Sequence, residues 1–205
     1  MKQSLLGMLK LWGFKRGEFT LASGKTSDFY IDVRPVALSA DGHWKLGRLL
    51  YEMVKTFDNV QAIAGVELGG CPLASAVSYT SALDRVLTGE LGGPQNIPLL
   101  PAFYIRKAPK GHGMGKIVEA PFPYGADEEG NVTCARVVLL EDVVTTGGST
   151  IRAIQALREA GHNVVGVCVV VDRKEGGVGR ITTETGLTVR SLFTRSDFIR
   201  SPDAD

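Results

Sequence analysis

The sequence predicts an α/β fold with a central, mainly parallel sheet flanked by helices. Apolar runs at residues 60–66, 136–140 and 163–171 alternate with helical periods, the order that parallel pairing with right-handed crossovers requires. The runs are rich in Val, Ile and Leu, as strands covered on both faces are. Loops starting at residues 67, 107, 141 and 172 each follow a strand, and ligands of open α/β sheets lie past the carboxyl ends of the strands.

Each element has its own signal. Residues 1–15 read as an amphipathic helix with Leu5, Met8, Leu9 and Trp12 on one face. Residues 13–17, bounded by glycines, break it, and 29–33 read as a strand. Asp41 or Gly42 opens a helix to about residue 57. Residues 68–72 (LGGCP) turn the strand 60–66 into a helix from Leu73. Residues 101–106 are strand-like, and 107–116 are rich in Gly and Lys with no apolar period. The strand 136–140 leads to a helix over 150–160, with Ile151, Ile154 and Leu157 on one face and Gly161 closing it. Strand 163–171 and a weaker strand, 188–193, complete the pattern. No internal repeat or interdomain linker appears, so the 205 residues read as one domain.

Composition excludes several classes. A net charge of +1 implies no polyanionic partner, and so no nucleic acid. Residues 1–15 contain no long apolar stretch or small-residue cleavage site, so neither a signal peptide nor a membrane span is expected. Cys71, Cys134 and Cys168 are odd in number and far apart, which fits a reducing cytoplasm better than a disulfide framework. His43 and His162 lack partners in sequence and read as structural.

The most informative string is residues 138–149 (VLLEDVVTTGGS). A buried strand ends in two carboxylates, Glu141 and Asp142, and a glycine- and hydroxyl-rich turn follows before a helix. Free backbone N–H groups at a helix start, with the positive end of the dipole, favour an anion. Gly147 and Gly148 permit left-handed angles and close approach, while Thr145, Thr146, Ser149 and Thr150 add hydroxyl donors. Adjacent carboxylates need something positive or hydrogen-donating between them, such as a vicinal diol or hydrated magnesium. A phosphate beside a diol is a ribose 5-phosphate. The competing reading is an ordinary helix N-cap, where Ser, Thr and acids are common.

Residues 138–149 resemble the phosphoribosyl-pyrophosphate (PRPP) signature of the type I phosphoribosyltransferases. Residues 21–32 (LASGKTSDFYID) resemble the N-terminal signature of the orotate phosphoribosyltransferases, 103–113 (FYIRKAPKGHG) their lid, and 170–177 (VVDRKEGG) their base-side loop. The resemblance implies a type I phosphoribosyltransferase fold across residues 1–205, with a small N-terminal hood over about 1–40 and a mobile lid at about 107–120. It implies transfer of the phosphoribosyl group from PRPP to orotate, giving orotidine 5′-monophosphate and pyrophosphate. It also implies Mg2+ held through PRPP and water without a direct protein ligand, and a homodimer whose lid is shared across the interface.

Carried over residue by residue, the resemblance makes Lys107, Lys110, His112 and Asp142 catalytic. Lys25, Phe29, Tyr30, Arg106, Glu141, Val143, Val144, Thr145, Thr146, Gly147, Gly148, Ser149 and Arg173 would bind substrate, Arg173 gripping the orotate carboxylate. The residues agree with parts of this. Arg106, Lys107, Lys110 and Lys116 form an acid-free cationic run made pliable by glycines. A planar guanidinium at Arg173 suits a carboxylate; the competing reading pairs it with Asp172 or Glu175. Residues 23–26 are not an ATP-binding loop, because position 19, where that pattern needs glycine, is Phe19.

Two departures stand out. Some relatives carry lysine where Gly69 stands, and residues 84–99 and 120–131 look longer than the family's loops. The rival functions are a phosphoribosyltransferase for another base and a PRPP-binding regulator without turnover. The latter usually adds a DNA-binding segment, and no basic recognition helix is seen.

Overall fold

The structure is a computed structural model that describes residues 1–20, 26–87, 99–108, 117–121, 123–124, 131 and 133–199. Lys25, Lys110 and His112 lie outside the described residues, as do most of the stretches 84–99 and 120–131.

The chain opens with α1 (Lys2–Met8) and a π-helical turn, Leu9–Gly13, in place of one helix to residue 15. Leu5 and Leu9 are buried, but Trp12 is 46% exposed. The wider π turn changes the angle per residue and rotates position 12 off the face. Strands β1 (Phe14–Thr20) and β2 (Thr26–Ile31) then pair antiparallel, with an irregularity between Arg16 and Phe19. The sequence reading missed β1, because Gly13 and Gly17 look like breaks. A short helix α2 (Arg34–Ala37) precedes α3 (Ala40–Val54), whose N-cap Ser39 accepts from the Gly42 amide at 3.1 Å.

The alternating part follows as β3 (Ala62–Val66), α4 (Gly70–Leu87), β4 (Ala102–Ile105), β5 (Val118–Glu119), β6 (Arg136–Val144), α5 (Gly148–Glu159), β7 (Asn163–Asp172), α6 (Gly177–Thr185), β8 (Val189–Thr194) and α7 (Arg195–Phe198). The six-stranded sheet has the order β5-β4-β3-β6-β7-β8. Every pairing in it is parallel except β4 with β5. The expected mainly parallel α/β architecture is present. Helix α4 starts before Pro72 because the first turn tolerates a residue without an N–H. The short, threonine-rich α6 has little helical signal in sequence, and glycines with positive φ, Gly176 and Gly186, bound it.

Alternation along the strands splits the core in two. Val138, Leu140, Cys168 and Val170 pack with α3, α4 and the first forty residues. Val137, Leu139, Val167 and Val169 pack with α5 and α6. Successive strand residues point to opposite faces, so one strand serves both cores. Among the described residues no helix is long and apolar enough to cross a membrane.

Candidate active site

The carboxyl ends of β3, β6 and β7 converge on one region. Strand β6 continues through Glu141 and Asp142 to Val144, further than the residue 140 read from sequence. The acid pair is therefore held by the sheet ladder, with Glu141 opposite Val169 and Val143 opposite Val171. Residues 145–147 then bend into α5. Gly147 is the N-cap at φ 77°, ψ −1°, and a Cβ there would meet the Gly177 carbonyl oxygen at 2.8 Å. Only glycine satisfies both demands. Gly148, expected to share the left-handed geometry, does not need it.

Among the described residues no side chain caps α5. An ordinary N-cap would spend a Ser, Thr or Asp oxygen on these amides. Here the nearby hydroxyls go elsewhere: Thr150 Oγ1 donates to Glu141 Oε2 at 3.0 Å, and Ser149 Oγ to the same oxygen at 3.4 Å. The first amides of α5 are left open to an anion, and the capping alternative fails. Thr150, and Ser149 at the longer distance, thus orient Glu141. Thr145 and Thr146 remain at the cup as half-buried residues.

Glu141 is buried. Burial first, then the charge of Asp142 and a hydrogen bond with it, push the Glu141 carboxyl up to about 8, against the lowering effect of Thr150. A proton on Glu141 thus relieves the repulsion between the two acids when no ligand is bound. Asp142 Oδ1 accepts the Val143 amide at 2.8 Å, and its Oδ2 faces Gly69 in the loop after β3. A Cβ on Gly69 would lie 1.9 Å from that oxygen. The departure at position 69 thus makes room for Asp142, a role no local signal reveals.

Arg173 follows β7 and is 2% exposed. Its Nη2 sits 2.8 Å from Glu175 Oε1 and 3.3 Å from the Phe29 carbonyl oxygen, and its guanidinium carbon lies 4.2 Å from the Phe29 ring centroid. Asp172 pairs instead with Lys174, at 3.0 Å. The competing reading of a surface arginine is wrong about exposure and right about Glu175.

The other expected site residues have definite surroundings. Phe29 is buried, with Arg195 5.0 Å from its ring centroid as well; its ring supports Arg173 instead of presenting a free face to a base. Tyr30 points to the other side of β2, against Phe19 at 5.7 Å. Val143 and Val144 pack into the two cores, and the Val144 carbonyl is taken by the Arg173 amide at 3.1 Å. Their side chains thus face the cores, while Val143 stays half-buried. The cationic run is not without an acid, because β5 brings Glu119 to Arg106, Nη1 to Oε1 3.8 Å. Lys107 is exposed at the end of β4. Within the segment expected as a lid, about 107–120, Val118–Glu119 form β5. His43 Nδ1 lies 3.0 Å from the Ala37 carbonyl oxygen, and His162 is buried against Phe103 with its pKa lowered by that burial. Both are structural, as read.

The phosphoribosyl transferase domain model matches residues 42–189. The chain belongs to the phosphoribosyltransferase family. Within that family it is 44% identical to the orotate phosphoribosyltransferase of Sorangium cellulosum, over 97% of this chain and 93% of the relative. It is 40% identical to that of Rhodopseudomonas palustris, over 96% of this chain and 95% of the relative. Among solved structures, Mycobacterium tuberculosis orotate phosphoribosyltransferase with Fe(III) dicitrate superposes with a TM-score of 0.71 at 31% identity, covering 96% of this chain and 98% of that one. The same protein in complex with PRPP gives 0.68 at 28% identity, covering 96% and 98%. The type I phosphoribosyltransferase fold expected from sequence is the fold of this chain.

Proposed function

We propose that this protein transfers the 5-phosphoribosyl group from PRPP to orotate, releasing pyrophosphate and forming orotidine 5′-monophosphate. The observation that carries the reading is the uncapped start of α5 set directly beside the Glu141–Asp142 pair. Hydrogen bonds to charged groups are worth about 1.5–3 kcal/mol each, against about 0.3–1 for the dipole, so the amides hold the 5′-phosphate and the dipole assists. Asp142, and Glu141 once its proton is shared with a hydroxyl, hold the ribose diol. Arg173 exchanges Glu175 for the carboxylate of orotate, which favours this base over one without a carboxylate.

In the reaction the bond between C1 and the pyrophosphate oxygen breaks and the orotate nitrogen bonds to C1. Orotate reacts as its anion, so no strong general base is required. The chain's task is to position both partners and to stabilise charge on the departing pyrophosphate. Lys107, with Lys110 and His112 from the lid, is assigned that stabilisation by resemblance, and Arg106 joins it on leaving Glu119.

Among the described residues no cluster of three His, Cys, Asp or Glu side chains could hold a metal. The acid pair fits Mg2+ reached through the ribose hydroxyls and water, with PRPP supplying the other oxygens. Bound there, the ion would neutralise charge on the pyrophosphate. A homodimer is supported by an apolar groove of about 770 Å3 between α3 and α4, bordered by Trp44, Leu68, Tyr79 and Tyr104. Leu38 beside it is 71% exposed and Tyr79 66%, an apolar face suited to a second copy. The free thiols Cys71, Cys134 and Cys168 favour the cytoplasm.

The test is incubation with orotate, PRPP and Mg2+, following the loss of orotate absorbance. A panel of other bases checks specificity. No loss with orotate, and turnover with another base, would reassign the substrate.

A further inference from the structure

Two guanidinium groups stand at the lip of the phosphate cup, and no motif marks them. A Cβ built on Gly148 would meet Arg152 Nη1 at 3.6 Å and Arg180 Nη1 at 3.8 Å and, among the described residues, no other atom beyond its own stretch of helix backbone within 4 Å. Arg152 lies on α5 four positions after Gly148, so the two share a helix face. Arg180 comes from α6, which is seated on the cup: a Cβ on Gly177 would lie 2.2 Å from the Thr145 carbonyl oxygen and 2.8 Å from the Gly147 amide. Separate elements thus deliver two cations to one side-chain-free position.

Like charges gathered this way repel unless an anion lies among them. Arg180 spends its Nε on Glu184 at 2.7 Å, while its Nη1 stays at the cup, 3.5 Å from the Thr146 carbonyl oxygen. Among the described residues Arg152 has no hydrogen bond or ion pair. The electrostatics of the cup itself point the same way. The amides are neutral, the α5 dipole supplies roughly half a positive charge, and Asp142 stands close by. A phosphomonoester dianion needs more positive charge than that, and two guanidinium groups supply it.

We propose that Arg152 and Arg180 bind the 5′-phosphate, completing from α5 and α6 the flank that Gly148 leaves bare. This rests on the phosphoribosyl reading of the site. A competing use exists for Arg152, which also lines a cavity of about 240 Å3 with Arg106, Lys107 and Ser149; a pyrophosphate group held there would draw on it instead.

Calorimetry with ribose 5-phosphate, and separately with inorganic pyrophosphate, distinguishes these. Arg152→Ala and Arg180→Ala should each weaken ribose 5-phosphate about tenfold, as loss of one charge-assisted hydrogen bond does. Both should leave pyrophosphate affinity and Tm near wild type, and should flatten the salt dependence of ribose 5-phosphate binding. Arg152→Lys should recover part of the loss. Glu184→Gln, which removes the ion pair and keeps the guanidinium, should bind as wild type does. Unchanged ribose 5-phosphate affinity in both alanine variants overturns the proposal, and so does a loss confined to pyrophosphate. A wild-type protein that ignores ribose 5-phosphate overturns the phosphoribosyl reading itself, a separate result seen before any variant is made.

Discussion

Gly69 and Asp142 meet across the site with no room for a single methyl group between them: a Cβ at 69 would lie 1.9 Å from Asp142 Oδ2 and 2.4 Å from its carboxyl carbon. The carboxylate is the part that must yield, since Gly69 is backbone and Asp142 is a short side chain. Gly69→Ala should therefore leave Tm close to wild type while turning Asp142 away from the ribose. We expect PRPP affinity to fall about tenfold or more, within the range of one lost hydrogen bond to a charged group. Asp142→Asn should produce a loss of the same order. Calorimetry with PRPP beside a thermal melt checks both, and an unchanged affinity in Gly69→Ala would remove Asp142 from the diol.

The raised pKa of Glu141 sets a pH dependence. Its carboxyl titrates from 4.5 in the unfolded chain to about 8 in the fold. The folded state keeps a proton that the unfolded state releases, so this contribution to stability falls as pH rises through that window. Glu141→Gln removes the titration and can still accept from Thr150. The Tm of the variant relative to wild type, both without ligand, should climb between about pH 5 and pH 8. A flat difference would show that Glu141 is ionised throughout.

Arg173 is buried on Phe29, and the two should act on orotate and not on PRPP. Arg173→Lys loses the planar fork that grips a carboxylate with two bonds. Phe29→Leu removes the ring under the guanidinium, 4.2 Å from it. Both variants should raise KM for orotate, the lysine variant about tenfold or more, with PRPP binding near wild type. Steady-state kinetics varying each substrate in turn would reveal an equal loss for both substrates, which would contradict the assignment.

The exposed apolar face at Trp44 and Tyr79 should be buried in solution. Tyr79→Glu places a charge on that face without touching either core. Sedimentation velocity should show a shift toward monomer, with loss of turnover if the lid of one copy completes the site of another. A variant that remains associated and active would place the interface elsewhere.

How much of this was legible depended on distance along the chain. The strand, acid pair, glycine turn and helix of residues 136–159 are contiguous, so periodicity and turn chemistry exposed them together. The same local reading misjudged β1, because Gly13 and Gly17 look like breaks until β2 is there to pair with. It assigned α6 no helix, since a run holding five of its nine positions as Gly or Thr has a weak helical signal without a sheet to lie on.

The sequence by itself determined the alternating α/β order, the position of the phosphate cup and the class of ligand it suits, because each rests on residues within one or two turns of one another. Only the tertiary structure decided that Gly69 makes way for Asp142, that Phe29 lies under Arg173, that Glu119 meets Arg106 and that Arg180 reaches the cup. Those pairs come from different strands and helices. Parallel crossovers gather Gly69, Asp142 and Arg180 at the strand ends, while the antiparallel strands β2 and β5 deliver Phe29 and Glu119, and no local propensity encodes contacts between residues so far apart in sequence.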